Sequence, residues 1–300
     1  MTTLESLPPK TNNYSHIEQQ AREYSGSFRL PVSVVIPFYK NTAVLSKTIA
    51  SLINQTYPPN LIEVIISDDG SPESLDELFV HFGQQLNLKH VRQEDLGFRP
   101  ASARNLGINH ASGEIVVSID FDMICPPKFV ESHLRWFHVS DRVSTVGMRK
   151  FVNTSQITVD DVISHFDKIT NLPPQRSISA LTPTRNYDSR IRAFDNFKHF
   201  QFPAYYYYSC NIAYRRGQAL EIGGFDEDFD YNYGWEDVDF GHRLWLAGVF
   251  LVAVEEATAY HQENETVTLD RKLQEDPVNR LKFYKKFPEL KPAVLKRRKW

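Results

Sequence analysis

Apolar positions in the first half of the chain form short runs that alternate with amphipathic segments. The run PVSVVIPFY at 31–39 is rich in β-branched residues and predicts a buried strand. Segment 41–57 spaces its apolar residues with a helical period and ends at two prolines, which favours a helix. The alternation continues with strands at 61–71, 88–93 and 114–120 and helices at 73–85 and 101–111. This order predicts an α/β fold built on a mainly parallel sheet with helices on both faces.

The second half of the chain is less regular. Segment 170–208 is rich in Pro, Ser, Arg and Tyr and has no clear period, which is typical of a functional loop or lid. Regular spacing returns with a strand at 209–216, a helix that ends near Ala247 and a last strand within 249–264.

These patterns define the expected domain organisation. We expect one domain over 31–265, whose halves, 31–150 and 151–265, share a continuous core. Residues 1–30 are polar and predict a loose N-terminal extension, while residues 266–300 predict a basic helical tail.

Composition places the chain among ordinary globular proteins. Of its 300 residues 41% are hydrophobic and 24% are charged, and the formal net charge of −3 argues against a nucleic-acid partner. Its two cysteines, Cys125 and Cys210, lack the paired spacing of zinc sites or disulfide frameworks, which fits a reducing, cytoplasmic setting. No run approaches the ~20 apolar residues that a membrane span needs.

The last ten residues, KPAVLKRRKW, carry five basic side chains and no acidic one. A charge run of this kind is usually a solvated tail. The alternative is peripheral attachment to an anionic membrane face, with Leu295 and Trp300 as apolar contacts.

Acidic residues follow two predicted strands, at the edge where α/β sheets bind ligands. Asp120 and Asp122 alternate about Phe121, so both carboxylates lie on one side of an extended chain and suit a hard divalent cation. Solvated acids at a strand end are the alternative. Asp68 and Asp69 either form a simple β-turn or accept hydrogen bonds from a nucleobase and a ribose.

The chain has no glycine-rich phosphate loop after its first predicted strand, so phosphates need another neutralising group. Arg99 and Arg104 lie just before and inside a predicted helix, and a guanidinium pairs well with a diphosphate. For Arg104, a salt bridge to Asp68 or Asp120 is an open alternative.

The densest group of acids lies in the run YNYGWEDVDFGHRL. An acidic helix start explains Asp239, which we expect to pair with Arg243 four positions later. It does not explain Trp235, Glu236 and Asp237, because an aromatic ring beside two carboxylates suits a sugar, which presents C–H faces and hydroxyls.

Three further features of the second half are candidates for ligand contacts. The pair Gly223–Gly224 permits close backbone approach, and the tyrosines at 205–208 extend an aromatic surface. His261 follows the last predicted strand, where it is either a structural histidine or a neutral imidazole that completes a metal shell.

The motifs VSVVIPFYK, ISDDGS, ARNLGI…ASGEIVVSIDFDM and GGFDEDF…GWEDVDFGHRL, in this order, resemble those of the family-2 glycosyltransferases with a GT-A fold. They span about residues 31–261. The run GWEDVDF, followed by a histidine about two dozen residues later, is most similar to the galactosyl- and N-acetylgalactosaminyltransferase branch, which includes chondroitin-polymerase-type domains.

The resemblance implies a UDP-sugar donor whose diphosphate binds Mn²⁺ or Mg²⁺. Asp69 then reads the uracil in a pocket lined by Pro37. Asp120 contacts the ribose or the metal, and Asp122 and His261 are direct metal ligands.

The resemblance also implies an acceptor site for a glycan or another small hydroxyl compound. Asp237 is the expected base, Glu236 holds hydroxyl groups and Trp235 stacks on a sugar, while Gly224 and Tyr207 add to this surface. Attack opposite the UDP inverts the anomeric configuration, so an α-linked donor gives a β-linked product.

Other functions stay open. A nucleotide-sugar-binding subunit without catalysis shares the same pocket, and retaining relatives carry Asn where this chain has Asp237. A nucleotidyltransferase leaves GWEDVDF unexplained, and a nicotinamide dehydrogenase lacks its glycine fingerprint. With neither a membrane anchor nor a second catalytic domain in the sequence, we expect single additions rather than processive polymerisation.

Overall fold

The computed structural model describes residues 11–175, 188, 190–262 and 269–291. Eight strands in this part of the chain form one sheet. They are β1 (Val32–Phe38), β2 (Ile62–Asp68), β3 (Asn87–Arg92), β4 (Ile115–Ile119), β5 (Met123–Ile124), β6 (Val143–Val152), β7 (Asn211–Arg215) and β8 (Phe250–Gln262).

Helices cover the sheet on both faces, as the alternating pattern predicts. They are α1 (Ser15–Arg22), α2 (Thr42–Ala50), α3 (Asp76–Phe82), α4 (Pro100–His110), α5 (Phe129–Phe137), α6 (Val159–Ser164), α7 (Asp167–Thr170), α8 (Ile191–Phe194), α9 (Arg216–Glu221), α10 (Glu236–Leu246) and α11 (Leu269–Lys286).

The strand order is β3-β2-β1-β4-β7-β6-β8-β5. The first four strands are parallel, and β6 also runs parallel to β8. Strand β7 is antiparallel to both of its neighbours and joins the two halves, while β5 is antiparallel to β8. The first half therefore forms the predicted parallel sheet, and the second half extends the same sheet with mixed pairing.

Close packing of α4 on the sheet positions the residues that follow the strands. Strands β1, β2 and β4 are almost entirely buried, which is the burial expected of parallel strands covered on both faces. Gly107 of α4 lies so close to β1 that a Cβ atom there would be 2.3 Å from Val35 Cγ1. A larger residue at this position would push the helix away from the strand ends.

The expectation of a loose N-terminal extension is wrong for residues 11–22. The side chain of Asn12 is buried, accepts from the Leu251 amide at 3.0 Å and donates to the Leu251 carbonyl at 2.7 Å. Helix α1 then buries Tyr14 against Trp136 in an edge-to-face contact with ring centroids 5.7 Å apart. The hydrogen bonds of Asn12 and the packing of Tyr14 hold this mostly polar segment against the domain.

The segment predicted as an irregular loop contains short helical turns where the structure describes it. Residues 176–187 and 189 lie outside the described residues. Further along, Phe197, Phe202 and Tyr207 are buried and belong to the hydrophobic core. This part of the segment is therefore packed into the hydrophobic core.

The predicted basic tail begins with a helix that docks on the domain. Helix α11 buries Phe283 and Tyr284 in the core. Leu295 and Trp300, the proposed membrane contacts, lie outside the described residues. Within the described residues, every helix falls short of the length and apolar character needed to span a membrane.

Candidate active site

Neighbouring strand ends bring the candidate donor residues to one edge of the sheet. Strands β2, β1 and β4 are adjacent and parallel, so their carboxyl ends share that edge. Pro37 pairs with Ser67 near the end of β1, and Asp69 and Asp120 directly follow β2 and β4. This is the ligand-binding edge of an open α/β sheet.

Asp69 is fixed by groups that follow β3. Its Oδ2 accepts from the Arg99 amide at 2.9 Å, and its Oδ1 accepts from Gln93 Nε2 at 2.6 Å. Burial raises the pKa of Asp69, and these hydrogen bonds oppose the rise. The Arg99 guanidinium lies 3.2 Å from Asp69 Oδ1, so it is directed to this carboxylate. That Arg99 contacts a diphosphate stays a prediction.

The prediction that Asp68 binds a ligand is wrong. Its side chain is fully buried, with Oδ2 3.1 Å from His90 Nε2 and 3.2 Å from Arg92 Nη1. Its Oδ1 accepts from the Ser71 amide at 2.6 Å. The carboxylate therefore stabilises the turn after β2 and its neighbour β3, which is the alternative that the Asp–Gly pattern allowed.

Arg104 joins the two halves of the site. From α4 its Nη2 donates to Asp120 Oδ1 at 3.0 Å, and its Nη1 donates to Glu236 Oε1 at 3.0 Å. Only 6% of its side chain is exposed. Burial opposes its charge, but the carboxylates of Asp120, Glu236 and Asp237 outweigh burial and raise the pKa of Arg104. The salt-bridge alternative with Asp120 is thus what the structure shows, and the bridge to Glu236 was not predicted.

Helix α4 is itself oriented by the second half of the chain. Asp230 accepts from the Ala101 amide at 2.8 Å and from the Ser102 amide at 3.2 Å in the first turn of α4. Such capping satisfies amides that a helix start leaves without intrahelical partners. The acidic GGFDEDFD segment therefore fixes the helix that carries Arg104.

Glu236 and Asp237 begin α10 and differ in their surroundings. Glu236 is buried against Arg104, while Asp237 is partly exposed and accepts from the Val238 amide at 2.8 Å. The Ser209 amide lies 3.4 Å from Asp237 Oδ2. Burial, then the Asp237 charge, raises the pKa of Glu236; burial also raises the pKa of Asp237, against the Arg104 charge. Asp237 is the more accessible carboxylate of the pair.

Trp235 does not offer the predicted sugar platform. Helix α11 covers the residue and leaves it 7% exposed. Its indole Nε1 donates to Asp276 at 2.8 Å, and its ring packs against Phe283 with centroids 5.2 Å apart. The prediction is wrong because a segment forty residues away in sequence occupies the ring face.

Tyr207 and Gly224 also serve the fold and not a ligand surface. Tyr207 is fully buried, its hydroxyl is 2.5 Å from Ser144 Oγ, and a Cβ on Gly241 would lie 2.7 Å from its Cδ1. Gly224 has φ +71°, and a Cβ there would be 2.5 Å from Asn105 Oδ1. The predicted sugar contact of Tyr207 is wrong, and the close approach at Gly224 is to a protein side chain.

Asp122 and His261 meet through the pairing of β5 with β8. Met123 pairs with His261, which places His261 Nε2 3.5 Å from Asp122 Oδ2. Two ligand atoms bound side by side on Mg²⁺ or Mn²⁺ lie about 3 Å apart, so the pair fits one divalent cation. Among the described residues no group of three His, Cys, Asp or Glu could hold a metal.

The sequence reasoning missed Arg149. This residue lies on β6 beside the Asp122–His261 pair, since its guanidinium packs 5.0 Å from the centre of the Phe151 ring, which in turn contacts His261. Burial opposes its charge, but Cys210 and Asp188 raise the pKa of Arg149. Arg149 follows the bulge that interrupts β6 after Gly147. No sequence signal marks it, because Ser144, Thr145 and Lys150 are polar residues of the same strand.

The chain matches known protein families over most of its length. The glycosyl transferase family 2 model matches residues 33–222, and a model described as the N-terminal domain of galactosyltransferase matches residues 189–265. Chondroitin synthase of Escherichia coli is 33% identical over 98% of this chain and 46% of its own length. Hyaluronan synthase of Pasteurella multocida is 29% identical over 87% of this chain and 28% of its own. The chain thus spans less than half the length of these relatives.

Solved structures share the fold at low sequence identity. S. aureus TarS 1–349 in complex with UDP-GlcNAc has a TM-score of 0.56 and 20% identity, over 80% of this chain and 61% of that chain. Mannosyltransferase PcManGT from Pyrobaculum calidifontis, in complex with GDP-Man and Mn²⁺, has a TM-score of 0.53 and 17% identity, over 84% and 64%. The predicted α/β GT-A fold is confirmed. The predicted family is confirmed as well, and this chain belongs to glycosyl transferase family 2.

Proposed function

We propose that this chain transfers a hexose or N-acetylhexosamine from a UDP-sugar to a hydroxyl of a glycan or small acceptor, with inversion at the anomeric carbon. The observation that carries the proposal is the chain of contacts from Asp120 through Arg104 to Glu236. It holds the start of α10, and with it Asp237, beside the edge at which open α/β sheets bind ligands.

Asp237 is the proposed base. Its carboxylate accepts the proton of the acceptor hydroxyl as that oxygen forms a bond to the anomeric carbon and the bond to the UDP oxygen breaks. Burial raises the pKa of Asp237, which increases its basicity. Glu236 is buried and binds Arg104. Its proposed role is to hold Arg104 in place and to accept a hydrogen bond from a sugar hydroxyl.

The donor occupies the edge formed by β1, β2 and β4. Asp69 and Pro37 contact the nucleobase of the donor, and Asp120 contacts its ribose. Asp122 and His261 would hold Mn²⁺ or Mg²⁺, which when bound neutralises the diphosphate and stabilises the leaving group. We assign the phosphate-facing positive charge to Arg149 in place of Arg104, because both terminal nitrogens of Arg104 already bind carboxylates.

The relatives support this donor class. UDP-GlcNAc is bound in the S. aureus TarS structure, and Mn²⁺ accompanies GDP-Man in PcManGT. The match of residues 189–265 to a galactosyltransferase domain favours a Gal or GalNAc donor. The names chondroitin synthase and hyaluronan synthase favour a role in polysaccharide biosynthesis.

A donor screen tests the proposal. The purified chain is incubated with Mn²⁺, a panel of glycan acceptors and one of UDP-Gal, UDP-GalNAc, UDP-Glc or UDP-GlcNAc, with released UDP measured and any new glycoside analysed by NMR. We expect turnover of a Gal or GalNAc donor and a β-linked product. Metal-dependent UDP binding without turnover of any donor would show a silent binding subunit, and an α-linked product would show a retaining enzyme; either outcome contradicts the proposal.

A further inference from the structure

We propose that helix α11 positions the catalytic carboxylates, and that Asn279 is the residue through which it does so. The inference rests on the proposed function of Glu236 and Asp237. It concerns a helix at 269–286 that lies beyond the residues matched by either family model, which end at 222 and 265.

The chain that leads into α10 has an unfavourable backbone. Tyr231 has φ 68° and Trp235 has φ 76°, both in the left-handed region that residues with a side chain rarely adopt. Gly234 between them has φ 78°. Backbone of this kind persists where surrounding groups hold it, and such positions cluster at functional sites. The loop 229–235 therefore needs an external partner to keep one shape.

Asn279 is that partner. It is fully buried, and its Nδ2 lies 2.8 Å from the Phe229 carbonyl, 2.8 Å from the Gly234 carbonyl and 3.2 Å from the Asn232 carbonyl. One amide group thus binds three carbonyls of the loop. Without it the buried Phe229 carbonyl would lose its donor, the part-buried carbonyls of Asn232 and Gly234 would lose theirs, and the loop would rearrange to find others.

Two more contacts from α11 fix the first residues of α10. Asp276 accepts from Trp235 Nε1 at 2.8 Å, immediately before Glu236. Lys286 Nζ lies 2.7 Å from Asp239 Oδ1, one turn after the motif begins, and 2.6 Å from Asp226 Oδ2. Helix α11 thus binds the loop before the catalytic pair and the helix after it.

The carboxylate positions follow from this arrangement. Glu236 and Asp237 are the first two residues of α10, so a change in the loop rotates or shifts both side chains. Asn279 touches neither carboxylate and acts through the loop, as a positioning residue. A misplacement of a reacting group by about 1 Å costs about 100-fold in rate.

The test compares Asn279→Ala and Asn279→Ser with Lys282→Ala. Lys282 is a matched control, because it lies on the same helix and donates to the Asp228 carbonyl from an exposed position. We expect kcat to fall about 10- to 100-fold in Asn279→Ala with KM for the UDP-sugar within twofold. Asn279→Ser keeps one donor and should be intermediate, and Lys282→Ala should match the unchanged protein.

Hydrogen exchange gives a readout that does not need turnover. The amides of 229–237 should exchange at least tenfold faster in Asn279→Ala than in Lys282→Ala, with exchange in β1 and β4 unchanged. If both Asn279 variants keep the kcat and the exchange rates of the unchanged protein, the inference is overturned. If Asn279→Ala does not fold, the result for Asn279→Ser decides. Absence of turnover in the unchanged protein would refute the proposed function, while the exchange result would still decide whether α11 holds the loop.

Discussion

At the residue scale, neighbouring acids in one motif have different tasks. Asp239 is buried and binds Arg243 at 2.6 Å, as expected from its spacing. Glu236 is buried against Arg104, and Asp237 stays partly open beside Ser209. Three carboxylates within four positions are tolerated because separate cations neutralise two of them, and the third, Asp237, is the proposed base.

A prediction at the residue scale concerns the proposed metal ligands. His261→Ala removes the imidazole that lies 3.5 Å from Asp122 Oδ2, so Mn²⁺ should no longer strengthen UDP binding. Titration calorimetry with UDP, with Mn²⁺ or with EDTA, should give similar affinities for this variant and a clear difference for the unchanged protein. His110→Ala, an exposed histidine on α4, is the matched control. If His261→Ala keeps the full effect of Mn²⁺, the ligand assignment is wrong.

At the element scale, α4 and α10 are joined by the buried Arg104. The helices come from different halves of the chain, and their contact depends on Arg104 binding Asp120 and Glu236. Removing one member of a buried ion pair leaves a charge in a poorly solvated position, which is far more costly than losing an exposed pair. The contact is therefore both structural and part of the site.

Arg104→Met should lower the free energy of unfolding by about 3 to 5 kcal/mol at neutral pH. Burial already raises the pKa of Glu236, and loss of Arg104 raises it further. The pKa of Glu236 is already about 8 in the folded unchanged protein, so both proteins lose stability alike as pH rises from about 5 to about 8. The deficit should grow above about pH 8, where the folded unchanged protein releases the Glu236 proton and the variant keeps it.

Urea unfolding from about pH 5 to about pH 9 checks the Arg104 prediction. Arg22→Met is a suitable control, since Arg22 forms exposed pairs with Glu18 and Glu256, and it should cost no more than about 1 kcal/mol. A deficit for Arg104→Met as small as that of the control, or one that shrinks with rising pH, would contradict the assigned burial of Glu236.

At the scale of the whole molecule, the structure of the first half, 31–150, was largely predictable from the sequence. The strands at 31–39 and 61–71 were visible because parallel strands buried on both faces are continuous apolar runs. Asp69 and Asp120 lie at the ends of the strands predicted at 61–71 and 114–120, so both had to lie at one edge of the sheet once the strands were parallel. The fold and the positions of Asp69 and Asp120 follow from these local patterns.

The second half, 151–265, was less predictable because segments distant in sequence determine which of its side chains are exposed. Trp235 and Tyr207 are aromatic residues beside a site, yet α11 covers one and Ser144 and Gly241 enclose the other. No local pattern reveals such coverage. The contacts of Asn279 and Arg149 likewise depend on tertiary packing, because each is one of several polar residues in its helix or strand and no local pattern distinguishes it.

The central claim is that Asp237 is the base of a sugar transfer, and Asp237→Asn tests it most directly. The substitution keeps the size of the side chain and removes its basicity, so transfer should fall about 10²- to 10⁴-fold while UDP–Mn²⁺ affinity stays within about twofold. Asp228→Asn, an exposed acid of the same segment, should leave both unchanged. Initial rates and calorimetry on the two variants give the answer: retained transfer, or loss of UDP binding in step with transfer, would contradict the account.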